Sequence, residues 1–223
     1  MFLELSLFSA DMDEGYPGNL NVVVLYTFNE ENVLSINYKA TTDKKTVINL
    51  TNHSYFNLGG YGSGDIMSHK LWLDADKITE TDSDLIPTGK ELDIAGTAFD
   101  FKVEKLIGKD IDADDINIKN GQGYDHNYVL NTNGEVKLFA TLTDTKTGRV
   151  MKAYTNQPCV QIYAGNCINP TDPPFKNGIK QVKRCGICFE TQHAPDAPNN
   201  PLFVSCELKP GELYNYTTVF KFE

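Results

Sequence analysis

Apolar residues recur at every second position through most of this chain, in short runs broken by turn formers, and that rhythm restricts the fold more than any other feature. In 33–40, Leu34, Ile36, Tyr38 and Ala40 alternate with mostly polar neighbours. In 135–144, Val136, Leu138, Ala140 and Leu142 face one way and Glu135, Lys137, Thr141 and Thr143 the other. Successive strand side chains point to opposite faces, so a period of two marks a half-buried β-strand. Similar runs cover 20–28, 45–50, 69–74, 148–155, 159–164, 187–192 and 214–220. Between runs lie turn formers such as Tyr16-Pro17-Gly18, Leu58-Gly59-Gly60, Asn133-Gly134, Asp172-Pro173-Pro174 and Lys209-Pro210-Gly211. Helical periodicity is absent, and only 101–107 suits a short helix. The expectation is an all-β fold, a large antiparallel β-sandwich or barrel. Long loops at 76–97 and 108–122 would border its cleft. No repeat or linker divides the chain, so residues 1–223 read as a single domain.

A chain of 223 residues, 40% of them hydrophobic, can bury one sizeable core. Its formal charge of −10 repels phosphate, which excludes nucleic acid as a partner. No apolar run reaches membrane length, and the first ten residues carry Glu4 and no basic residue, a poor signal peptide. A soluble, cytoplasmic protein without membrane association is expected. Five cysteines, at 159, 167, 185, 188 and 206, suit reduced thiols. Cys185-Gly186-Ile187-Cys188 has CxxC spacing, but 187–189 reads as a strand rather than the helix N-terminus that activates such a thiol. A zinc site would need a second ligand pair, which the spacing does not supply. Buried or half-buried thiols and no metal site are expected.

Three segments carry candidate chemistry. His53 ends the strand-like run 46–51, and imidazole suits proton transfer near neutral pH. The asparagines and serine around it are available to hold its tautomer, and Tyr55 or Phe56 offers a flat face to a ring-shaped ligand. Taken alone, such a histidine is more often structural. Glu190 shares a strand face with Cys188 and Gln192, while Ile187, Phe189 and Thr191 take the other face. By the same alternation Val160 and Ile162 go to the core and Gln161 and Tyr163 to a cleft. Asp125 follows a flexible Gly123 and precedes His126. It also fits a turn residue bonding its own backbone, and His126 fits a structural role.

Seven segments together, in order, resemble the aldose 1-epimerase (galactose mutarotase) family. They are Glu14-Gly15-Tyr16-Pro17-Gly18; the histidine motif Asn49-Leu50-Thr51-Asn52-His53-Ser54-Tyr55-Phe56-Asn57-Leu58; Gly123-Tyr124-Asp125-His126-Asn127; Gly148-Arg149; Thr155-Asn156-Gln157-Pro158 with Gln161 and Tyr163; Glu190-Thr191-Gln192 with Pro195-Asp196; and Leu208-Lys209-Pro210-Gly211-Glu212 with Tyr214. The resemblance implies a galactose mutarotase-like super-sandwich whose cleft holds a free aldohexose such as galactose or glucose. It implies His53 as general acid, Glu190 as general base, and Asp125 and Gln161 as ligands of sugar hydroxyls. Interconverting anomers takes a proton from the C1 hydroxyl and gives one to the ring oxygen. One carboxylate and one imidazole on opposite sides of the anomeric centre suffice, with no cofactor or metal required. Glu190 must be ionised to act as the base.

Family members are longer, and the chain matches their C-terminal two-thirds, an N-terminally truncated arrangement. The family's first third supplies an arginine and a second histidine to the sugar site. Arg149, Arg184 and His69 lie in segments unlike it. Two expectations follow: an active mutarotase, or a weak or inactive relative that binds carbohydrate or a protein partner. Sheet edges without neighbours would favour a homodimer.

Overall fold

Alternation becomes structure over most of the runs the sequence marks. The computed structural model describes residues 1–171 and 173–223; Asp172, in an expected turn, lies outside the described residues. In chain order the strands are β1 (Phe2–Ser9), β2 (Leu20–Phe28), β3 (Val33–Thr42), β4 (Thr46–Val47), β5 (His69–Leu73), β6 (Ala75–Thr81), β7 (Pro87–Asp93) and β8 (Lys105–Leu106). They continue as β9 (Asp125–Leu130), β10 (Lys137–Asp144), β11 (Val150–Thr155), β12 (Cys159–Tyr163), β13 (Cys188–Gln192), β14 (Glu207–Leu208) and β15 (Tyr214–Phe222).

Eight strands form one sheet in the order β1-β2-β3-β15-β11-β10-β5-β8, and five form a second, β13-β12-β9-β6-β7. A small third pair joins β14 to β4. Every pairing is antiparallel. The inner faces share one apolar core. Ile36, Leu71, Met151 and Phe220 come from the larger sheet, and Tyr128, Val160, Ile162 and Phe189 from the smaller. Phe139 meets Phe189 across the layers at 6.4 Å between ring centroids. The β-sandwich implied by the alternation is present.

Three local expectations fail for identifiable reasons. The expected loop at 76–97 contains most of β6 and all of β7, which pair with each other; its charged residues lie on a solvated strand and hide the alternation. Residues 101–107 form no α-helix but contain β8 and end where a 3-10 turn begins at Ile107. The short helix lies instead at α1 (Ile116–Asn120), where the Asp115 carboxylate accepts from the Asn117 and Ile118 amides at 2.8 and 3.3 Å. In β10 the register shifts between Leu138 and Ala140, so Phe139 and Ala140 are both buried and strict alternation breaks at that bulge. Among the described residues, no helix is long and apolar enough to cross a membrane.

Candidate active site

The smaller sheet gathers the candidate residues by register alone. Gln161 of β12 lies directly opposite Glu190 of β13 and Asn127 of β9. Tyr163 lies opposite Cys188 on one side and Asp125 on the other. Directly opposed residues of antiparallel neighbours share a face, so Asp125, Tyr163, Cys188, Gln161 and Glu190 project together. Gln161 Nε2 donates to Asp125 Oδ1 at 2.7 Å, which fixes both side chains.

Asp125 begins β9 rather than sitting in a turn. Gly123 precedes it with φ of +133°, where an added Cβ would stand 2.5 Å from Asn166 Oδ1. The Asn166 amide in turn donates to the Gly121 and Tyr124 carbonyls at 2.9 and 3.0 Å. His126 is buried, its Nδ1 accepting from the Asp125 amide at 3.1 Å. Burial pushes its pKa down to about 4, so the ring is a neutral structural group.

His53 arrives from a separate loop. That loop is stitched to the start of β13 by paired backbone bonds between Phe56 and Ile187, at 2.8 and 3.0 Å. Gly186 permits the approach, because a Cβ there would meet Tyr55 Cβ at 3.0 Å. Phe56 anchors the loop in the core against Phe220, with centroids 4.8 Å apart. At its far end the Leu58 amide donates to His69 Nε2 at 3.1 Å, and Arg149 Nη1 donates to the Leu58 carbonyl at 2.9 Å. Arg149 therefore serves the histidine loop, while Arg184 forms a two-pronged pair with Asp112 at 2.6 and 2.8 Å.

Held there, His53 places Nε2 3.3 Å from Glu190 Oε1 and Nδ1 3.4 Å from Cys188 Sγ. Its side chain is 50% exposed and that of Glu190 12%. The neighbouring polar residues do not hold the imidazole, contrary to expectation. Asn52 Oδ1 accepts from the Ser54 amide, and Asn57 Nδ2 donates to the Gly64 and Cys185 carbonyls. Acid and base thus sit within contact distance of each other, and the imidazole is the more exposed of the two.

Burial pushes the Glu190 carboxyl up; His53 pulls it down and Asp125 pushes it up again, leaving the net direction up. Asp125 is likewise raised by burial, against the Gln161 hydrogen bond and His53. Tyr55 and Tyr163 close the wall, with His53–Tyr55 centroids 5.1 Å apart and His53–Tyr163 6.0 Å apart. These two tyrosines also line an adjoining cavity of about 820 Å³. A smaller cavity of about 130 Å³ reaches Asp125 and Gln161 from beside Pro195.

All four expected residues, His53, Glu190, Asp125 and Gln161, thus lie together. Cys188, expected among the reduced thiols, shares the face of Glu190 as their spacing of two implies. Cys159 and Cys206 are buried and Cys185 half-buried, but Cys167 is exposed, against expectation.

The fold and site define an all-β protein that presents a carboxylate and an imidazole to one polar, aromatic-walled face. Residues 2–221 match the aldose 1-epimerase family model, and the chain belongs to that family. It is 43% identical over 220 residues to the galactose mutarotase of Bos taurus, covering 99% of this chain and 62% of that relative. It is 38% identical to the aldose 1-epimerase of Escherichia coli, covering 97% and 62% respectively. Among solved structures, galactose 1-epimerase from Lactobacillus acidophilus matches with a TM-score of 0.84 at 32% identity, over all of this chain and 62% of that one. The GalM/aldose epimerase homologue from C. elegans matches at 0.83 and 26%, over all of this chain and 65% of that one. The chain therefore spans about 62% of the length of the curated relatives it matches.

Proposed function

We propose that this chain, acting as one domain, interconverts the α and β anomers of a free aldohexose, galactose or glucose, by acid–base ring opening. Glu190 takes the proton of the C1 hydroxyl while His53 delivers one to the ring oxygen. The bond from C1 to the ring oxygen breaks, the aldehyde turns about C1–C2, and closure on the other face runs the two proton transfers in reverse. Asp125 and Gln161 accept and donate hydrogen bonds to sugar hydroxyls, and Tyr55 and Tyr163 cover the apolar face of the ring. The observation that carries this reading is the contact of His53 with Glu190 at 3.3 Å, from segments far apart in the chain. The relatives named above lend it their activity by family. Sugar must part the pair, so the half-exposed imidazole swings while β13 keeps Glu190 in place.

Polarimetry of freshly dissolved α-D-galactose and α-D-glucose tests the proposal. His53→Ala and Glu190→Ala should each slow the protein-dependent rate by about 10²–10⁴-fold, the usual worth of a general acid or base. Near-normal rates in both folded variants would sink the assignment. Binding without turnover is the second reading, favoured by the burial that raises the Glu190 carboxyl and so disfavours the ionised base. Titration calorimetry showing sugar affinity with no rate above buffer would select it.

A further inference from the structure

We propose that His53, Cys188 and Glu190 form a site for a borderline-soft divalent cation of the zinc class. A ring nitrogen of His53, the Cys188 sulfur and a Glu190 carboxylate oxygen all lie within 4.8 Å of one another. Around a tetrahedral zinc, bond lengths of about 2.0–2.3 Å put neighbouring ligand atoms roughly 3.4–3.6 Å apart. The nearest approaches of the ring, 3.3 Å to Glu190 and 3.4 Å to Cys188, are close to that spacing, while one ligand atom from each residue brings the set within 4.8 Å. They involve the two different ring nitrogens, so the imidazole must turn to offer one of them. Its 50% exposure leaves room to turn. The other two ligands need no search: they alternate on β13, face the same way, and are held by pairing with β12.

Donor chemistry selects the class. Imidazole with thiolate suits zinc and disfavours magnesium or calcium, which take oxygen donors. Three protein ligands leave a fourth position for water. On binding, the thiol loses its proton to solvent and the sulfur–metal bond replaces the S–H bond. Thiolate and carboxylate then offset the two positive charges, so the half-buried site carries no net charge. Among the described residues no other three His, Cys, Asp or Glu side chains bring ligand atoms this close together. A cation held there occupies both the acid and the base of the anomer-interconverting reading and excludes turnover while bound, but its binding is measured without turnover.

Equilibrium dialysis of the full chain against Zn²⁺ alone should give one tight equivalent. The Co²⁺ form should show a thiolate-to-cobalt charge-transfer band. His53→Ala should weaken Zn²⁺ at least ~100-fold, since even outer partners of a metal are worth 10–100-fold. Cys188→Ser should abolish the cobalt band and Cys167→Ser should leave it. Less than one equivalent, a missing thiolate band, a band that survives Cys188→Ser, or unchanged affinity in His53→Ala would each overturn the site. Should the buried Cys188→Ser variant not fold, the half-exposed His53→Ala variant decides alone.

Discussion

Glu190 combines two demands that pull against each other: it must be ionised to take a proton, yet burial and Asp125 both disfavour its charge. Its raised folded-state pKa fixes the sign of two effects. Such an acid favours the fold below the ordinary glutamate value, about 4.3, and that contribution is lost as pH rises through the folded value. Glu190→Gln removes the ionisation cost, so thermal melts should show it more stable than wild type at neutral pH. The gain should shrink as pH falls towards about 4.3; a loss of stability at neutral pH would contradict the direction. In kinetics, the acid limb of kcat/KM should fall above that ordinary value. Asp125→Asn removes a like charge and should move the limb to lower pH while weakening sugar binding, read from a polarimetric pH profile. A limb that stays put would show that Asp125 does not act on the base.

The histidine loop matters as an element, because Glu190, the partner of His53 in the proposed chemistry, lies far from it in sequence. Phe56 carries the attachment: its ring lies 4.8, 6.2 and 6.3 Å from those of Phe220, Phe189 and Phe222. Phe56→Ala should cost about 3 kcal/mol, the lower end for a phenylalanine truncation because the ring is only partly buried. Denaturant unfolding measures that cost, and the same variant should lose activity as His53 drifts from Glu190. Full stability with full activity would show that the loop is held elsewhere. Much of this was legible in the sequence. Alternation put Gln161, Tyr163, Cys188 and Glu190 on one face because a strand's period is fixed by its backbone. The backbone stitch between Phe56 and Ile187 left no sequence trace, since amides and carbonyls are the same in every residue. The strand in 125–130 was hidden because burial on both faces erases alternation.

At the scale of the whole molecule, one end of the larger sheet stands open. β1 pairs only with β2, and both its faces meet solvent, with Phe2 76% and Leu7 64% exposed. An apolar, unpaired edge is a template for another strand. A second copy of the chain bound there should give twice the chain mass of 24.9 kDa in light scattering, and Leu7→Lys should return the monomer. A wild-type monomer at all concentrations would remove the dimer and leave the site untouched. The central claim concerns that site: His53 and Glu190 of this chain interconvert sugar anomers. Optical rotation of freshly dissolved α-D-galactose tests it most directly. The relaxation rate should rise in proportion to protein concentration, and a folded protein that leaves the rate equal to buffer would contradict it.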